Sequence, residues 1–291
     1  MPRVEANGLE FEYETFGAAD APPLLLIMGL GAQMISWDEE FCELLADRGF
    51  HVVRFDNRDV GLSTKLDHLG TPELQAVASG AEAPPYHLED LADDAAGILA
   101  ELGIDAAHVV GASMGGFIAQ LVAIRHPERV LSLTSIMSAP GGMRDNAPAT
   151  PEAMEALLKP PPADREGMIE HGVWISSRIC GPAHFDPEDA RRKRIRAIDR
   201  SVSVAGTARQ IAAIAAAPSR VERLRELDVP ALIVHGDHDA FAPLAACGRR
   251  SAELMPRSRL QVYAGAAHMP HLSHRERLNA DLLAFAGARD A

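Results

Sequence analysis

Cysteine is scarce. The 291-residue chain holds three, Cys42, Cys180 and Cys247, odd in number and far apart. That spacing gives no disulfide framework and no CxxC site, so a reducing cytoplasm is the expected setting. Positive charge is also short, with 28 Lys and Arg against 41 Asp and Glu and a formal net charge of −13. General nucleic-acid binding needs a basic footprint, and none is present. No apolar run approaches the ~18–20 residues that cross a bilayer, so no membrane span is expected. Met1 to Glu12 carries acids and no apolar stretch, which does not read as a signal peptide.

What is present describes a soluble globular chain, with 47% hydrophobic and 24% charged residues. A chain of this length buries roughly three quarters of its unfolded surface and needs no disulfide or metal staple. It is long enough for two domains, or for one α/β unit with an insertion.

Periodicity gives the order of elements. Leu9, Phe11 and Tyr13 alternate with Glu10, Glu12 and Glu14, which predicts a half-exposed strand, antiparallel at a sheet edge. Leu24 to Met28 reads as a buried strand, Asp38 to Asp47 as a helix, and Val52, Val53 and Phe55 as another strand. Leu88, Leu91, Ala95, Ile98, Leu99 and Leu102 have helical spacing, and Gly103 supplies a stop. Val109-Val110, Met114 to Arg125 and Val130 to Met137 continue as strand, helix and strand. Such alternation predicts βαβ units and a mostly parallel sheet flanked by helices.

The rhythm breaks at Pro140-Gly141-Gly142 and resumes after Pro218. The resumed part reads as strand Ala231 to His235, helix Leu244 to Leu254, strand Arg259 to Tyr263 and helix Arg275 to Phe285. The α/β core is therefore expected over 1–138 and 219–291, with a helical cap over 139–218. Within the cap, Ile195, Ile198 and Val202 share a face while basic residues crowd Arg191 to Arg200. That run is either a solvated helix face or an attractor for an anionic substrate. Trp37 and Trp174, with Met168, Ile169, Val173 and Ile179, are either core or the lining of an acyl pocket.

Gly111-Ala112-Ser113-Met114-Gly115 is G-x-S-x-G between an apolar strand and an apolar helix. A nucleophile on a very tight strand-to-helix turn needs small neighbours two residues to either side. The turn lifts the hydroxyl above the sheet, and the helix N-terminus favours developing negative charge. Serine alone is a weak nucleophile and needs a base and an orienting acid. Two late loops offer them. His235-Gly236-Asp237-His238-Asp239 follows one strand, and Gly265-Ala266-Ala267-His268 follows the next. Both lie at carboxyl ends of strands, where open α/β sheets bind ligands. His235, His238, His268, His271 and His274 with two aspartates also invite a metal reading. No HExxH or HxHxDH stretch is present, so neither a metal nor a cofactor is expected.

These stretches resemble the α/β-hydrolase superfamily over nearly the whole chain. More narrowly, the chain is similar to the esterase group of aclacinomycin methylesterases and mycobacterial lipase/esterases. The resemblance rests on the elbow, on Leu24-Leu25-Leu26-Ile27-Met28-Gly29-Leu30-Gly31, and on Phe55-Asp56-Asn57-Arg58-Asp59-Val60-Gly61-Leu62-Ser63. The superfamily commonly has His-Gly where this chain has Met28-Gly29, and the methylesterase group tolerates Met there. The resemblance implies Ser113 as nucleophile, His268 as general base and Asp239 as the acid that holds its tautomer. The backbone N–H groups of Leu30 and Met114 become the oxyanion hole.

Asp237 competes for the acid role, but the family places the acid four residues before a proline, which selects Asp239 before Pro243. His271 and His274 compete with His268: His274 is expected to cap or precede the last helix, and His271 to line the site or lie on the surface. Asp56 to Ser63 is expected to be structural, with Arg58 tied into hydrogen bonds. The implied activity is hydrolysis of a small-molecule carboxylic ester through an acyl-enzyme. Thioester, carbon–carbon bond or perhydrolytic chemistry on the same residues is the alternative, as is a non-catalytic ligand receptor.

Overall fold

The computed structural model describes residues 2–142 and 149–287. Eight strands are present among them: β1 (Arg3–Ala6), β2 (Leu9–Phe16), β3 (Pro23–Ile27), β4 (His51–Phe55), β5 (Ala107–Ala112), β6 (Val130–Ile136), β7 (Ala231–Gly236) and β8 (Ser258–Tyr263). They form one sheet in the order β1-β2-β4-β3-β5-β6-β7-β8. From β4 to β8 every pairing is parallel, while β2 pairs antiparallel with both β1 and β4. Around the sheet run α1 (Glu39–Ala46), α2 (Leu74–Ser79), α3 (Leu88–Glu101), α4 (Met114–Arg125), α5 (Pro151–Leu158), α6 (Arg165–Ile179), α7 (Pro187–Arg200), α8 (Val204–Ala216), α9 (Val221–Arg225), α10 (Arg250–Leu254), α11 (Pro270–Ser273) and α12 (Arg275–Ala286).

The strands read as continuous apolar runs because helices cover both faces of the sheet. In β3, Leu25 and Ile27 point into one core with Leu91 and Ile98 of α3 and Ile118 of α4. Leu24 and Leu26 point into the other with Phe41 and Leu45 of α1 and Leu278 and Leu282 of α12. Each leucine so buried contributes roughly 1.5–3 kcal/mol.

The fold departs from the sequence pattern in two places. Leu9–Phe16 is antiparallel, but it is not the edge. The four-residue β1 lies outside it, in register Arg3 to Glu12, with Arg3 paired to Glu10 and Glu12. Four residues carry too little period to be read. Leu244 to Leu254 is not one regular helix either. Residues Ala245–Arg249 form a wider π-helical turn before α10. A Cβ at Gly248 would stand 2.7 Å from Cγ of His235, so only glycine lets that turn pass over the imidazole.

Helices α5 to α8 lie between β6 and β7, in the stretch where no strand was expected. The expected cap, 139–218, includes 143–148, which lie outside the described residues. The basic run on α7 is engaged by acids. Arg191 pairs with Glu166 and Glu170 of α6, Lys193 with Asp38, Arg196 with Glu39, and Arg200 with Asp56. Helix α8 is held by Arg209, whose guanidinium meets both oxygens of Asp59 at 2.8 and 2.7 Å with both side chains fully buried.

Candidate active site

Strand β5 ends in a backbone that only small neighbours allow. Ser113 has φ 55° and ψ −118°, outside the usual range for a residue with a side chain. Such a conformation costs on the order of 1–3 kcal/mol and persists only where surroundings impose it. Here they do. The Ser113 amide donates to the Ile136 carbonyl at 2.9 Å, and its carbonyl accepts from the Gly116 amide and the Ser138 hydroxyl, both at 2.9 Å. A Cβ at Gly111 would lie 2.0 Å from the Gly115 carbonyl oxygen, and one at Gly115 would lie 2.2 Å from that of Ile27. The two glycines are therefore steric requirements of the turn.

Above the turn, Ser113 Oγ lies 3.0 Å from His268 Nε2. The other ring nitrogen, Nδ1, lies 2.8 Å from Asp239 Oδ2. Asp239 is buried, and its Oδ1 accepts from the amides of Phe241 and Ala242, each at 2.9 Å. Burial alone pushes this carboxyl up. The charge of His268 and hydrogen bonds from His235 and His268 outweigh burial and hold Asp239 below the ordinary carboxylate range. Phe241 stacks on the His268 ring, and the His268 amide donates to the Ile179 carbonyl at the end of α6. An acceptor-only carboxylate at Nδ1 calls for the proton there and leaves Nε2 bare toward the hydroxyl.

Gly29, the residue before Leu30, packs against Ser113 and the start of α4 at Met114. A Cβ on Gly29 would lie 3.2 Å from Ser113 Cβ and 3.7 Å from the Met114 nitrogen. Among the described residues, neither the Leu30 N–H nor the Met114 N–H has an acceptor within the chain. An N–H without an acceptor in the chain is able to donate a hydrogen bond outside it.

The rivals lie elsewhere. Asp237 is exposed, and its carboxylate accepts from the Gly265 amide at 2.7 Å and pairs with His238. His274 immediately precedes α12 at its N-cap position, with its carbonyl accepting from the Leu278 amide and its ring bonded to the Ser273 hydroxyl. His271 is buried, not on the surface, with its ring 5.3 Å from that of Trp37. Burial, then the charges of Lys193 and His268, pushes its imidazole down to about 3. Arg58 is tied to Asp94 at 2.6 and 2.7 Å, and Asp56 accepts from the Met34 and Leu62 amides. Trp37 packs in the core on Phe41, while Trp174, Met168, Val173 and Ile179 are half-buried on α6 and Ile169 is buried. Among the described residues, no cluster of three or more His, Cys, Asp or Glu is arranged to hold a metal ion. None of their helices is long and apolar enough to cross a membrane.

Sequence reasoning missed His235 as a neighbour of the acid. Its Nε2 lies 2.6 Å from the Ala242 carbonyl and 3.4 Å from Asp239 Oδ2, and the residue is fully buried at the end of β7. Its place four residues before Asp239 was the available signal.

Residues 22–173 match the family described as alpha/beta hydrolase fold. The chain is similar to rhodomycin D methylesterase DauP of Streptomyces sp. (strain C5), at 30% identity over 93% of this chain and 92% of that one. It is also similar to the bifunctional esterase/perhydrolase DCH of Acinetobacter calcoaceticus, at 27% identity over 96% of each. Among solved structures, the enol-lactonase from Burkholderia xenovorans LB400 superposes with a TM-score of 0.76 at 25% identity, covering 98% of this chain and 100% of that one. A thermophilic esterase from Thermogutta terrifontis gives 0.74 at 26% identity, covering 97% of each.

Proposed function

The chain belongs to the alpha/beta hydrolase fold family, and on that premise we propose that it is a serine hydrolase of small-molecule carboxylic esters. The observation that carries the reading is the unbroken hydrogen-bond chain from Ser113 through His268 to Asp239. In the proposed cycle, Ser113 Oγ attacks the ester carbonyl while His268 Nε2 takes its proton. Asp239 holds the Nδ1 proton and stabilises the imidazolium that forms. The tetrahedral oxyanion rests on the N–H groups of Leu30 and Met114. Collapse expels the alcohol, which leaves with the proton from His268. Water, activated by the same imidazole, then releases the acid and restores Ser113.

Helices α5 to α8 act in this reading as the cap over the site, on a core of 1–138 and 219–291. The contact of the Ile179 carbonyl with the His268 amide supports that role. The cytoplasm is the setting, where three free, buried thiols stay reduced. The names of the two relatives, a methylesterase and an esterase/perhydrolase, support an ester as the electrophile. The test is hydrolysis of an ester panel varied in acyl length and leaving group, with rapid quenching and mass spectrometry. The reading expects one acyl group on Ser113. Turnover with no acylated serine contradicts it.

A further inference from the structure

Three successive peptides around Leu30 are each held in place, and one holder comes from α8. Gly29 to Ala32 form a tight turn in which the Ala32 amide donates to the Gly29 carbonyl at 3.2 Å. Gly31, third in the turn, has φ +61°, a conformation that favours glycine. The Leu30 N–H belongs to the peptide between Gly29 and Leu30, whose carbonyl that turn fixes. On one side, Asn57 donates from Nδ2 to the Met28 carbonyl at 3.0 Å. On the other, the Gly31 amide donates to Gln210 Oε1 at 2.8 Å. Gln210 is fully buried, and its Nε2 donates onward to the Arg58 carbonyl at 3.0 Å. A flipped carboxamide would face a donor with a donor and an acceptor with an acceptor, so its orientation is fixed.

An oxyanion donor acts only if it is aimed before charge develops. Gly29 and Gly31 give the backbone around Leu30 wide rotational freedom, and a rotated peptide would turn that N–H away. We propose that Gln210 is a positioning residue that locks the Leu30 N–H toward the developing oxyanion. It thereby ties the aim of the donor to the last helix of the inserted segment. The inference rests on the reading of Leu30 as an oxyanion donor. Gln210 touches no reacting atom and acts through the Gly31 peptide.

Three variants of the full chain test this, assayed on p-nitrophenyl acetate with melting temperatures alongside. Gln210→Met keeps the length and removes both hydrogen bonds. Gln210→Asn keeps the amide but falls one carbon short of Gly31. Gln210→Glu keeps the acceptor for Gly31 and, as the neutral acid, an O–H donor for the Arg58 carbonyl. A trifluoromethyl ketone reports the donor directly. Ser113 Oγ adds to its carbonyl, the hydroxyl proton passes to His268, and the former carbonyl oxygen becomes an oxyanion. Gln210→Met and Gln210→Asn are expected to lower kcat about 10–100-fold with KM little changed, the scale of a small misplacement of a reacting geometry. Inhibition by the ketone should weaken in parallel, and Gln210→Glu should recover most of the turnover. An unchanged kcat in either folded variant overturns the proposal, as does a fall in kcat with undiminished ketone affinity. Failure of both variants to fold would reduce Gln210 to a structural role and also overturn it. Ser113→Ala in the same series separates the two levels. If it still hydrolyses the ester, the active-site reading fails. If it is inactive while Gln210→Met turns over normally, only this inference fails.

Discussion

The carboxylate of Asp239 meets His268 Nδ1 at 2.8 Å, whereas Asp237, two residues earlier, is turned outward. Asp239→Asn should therefore lower kcat by up to about 10⁴-fold and leave KM nearly unchanged, because the asparagine no longer enforces the tautomer that faces Ser113. Asp237→Asn removes the charge paired with His238, keeps an oxygen able to accept from the Gly265 amide, and should change kcat little. Side-by-side kinetics, with circular dichroism to verify folding, check both. A crippled Asp237→Asn beside an active Asp239→Asn would reverse the assignment.

The tight turn at Ser113 makes a steric prediction. Gly115→Ala places a Cβ 2.2 Å from the Ile27 carbonyl oxygen and 2.9 Å from that of Met28, both backbone atoms that cannot swing aside. The variant should lose at least about 1–3 kcal/mol, as overpacked sites do, and most of its activity. Urea unfolding curves and ester turnover measure the two effects. A fully stable and active Gly115→Ala would mean that the turn is not under this constraint.

The buried pair between α8 and the loop after β4 gives a third. Arg209→Met leaves Asp59 as an uncompensated buried charge and should cost about 3–5 kcal/mol. The double variant Asp59→Leu, Arg209→Met removes both charges and should recover part of that loss. Chemical denaturation of the three proteins tests this, and an additive double variant would argue against direct coupling.

His271 predicts how stability depends on pH. Its folded-state value of about 3 lies below the ~6.5 of an unfolded histidine. Between those values the unfolded chain holds one proton more than the native chain. Stability from this group is therefore complete above about pH 6.5 and falls as pH drops toward 3, by up to about 1.4 kcal/mol per unit. His271→Leu should flatten that part of the profile. Denaturation midpoints from pH 7 to pH 4 measure it, and an equally steep variant would show that His271 is not the group responsible.

Local features were legible in the sequence, and long-range ones were not. The elbow could be read because its glycines and serine lie within five residues and their steric demand is local. The buried strands could be read because helices on both faces leave them uniformly apolar. Asp239 and Asp237 could not be separated by residue chemistry alone. Which one faces His268 depends on where the chain turns after β7, and that turn is set by the Phe241 and Ala242 amides. His271 sits in the polar stretch Pro270 to His274, and only the packing of Trp37 reveals its burial. The basic run on α7 carried no sign of its partners, since Asp38, Glu39 and Asp56 lie far back in the chain. Gln210 on α8 was invisible for the same reason.

The central claim is that Ser113 is the nucleophile, activated by His268. It is tested most directly by labelling the purified protein with a fluorophosphonate and locating the adduct by peptide mass spectrometry. One labelled serine per chain is expected, at Ser113, with labelling abolished in Ser113→Ala and ester turnover reduced roughly 10⁴–10⁶-fold. Labelling or turnover that survives Ser113→Ala unchanged would contradict it.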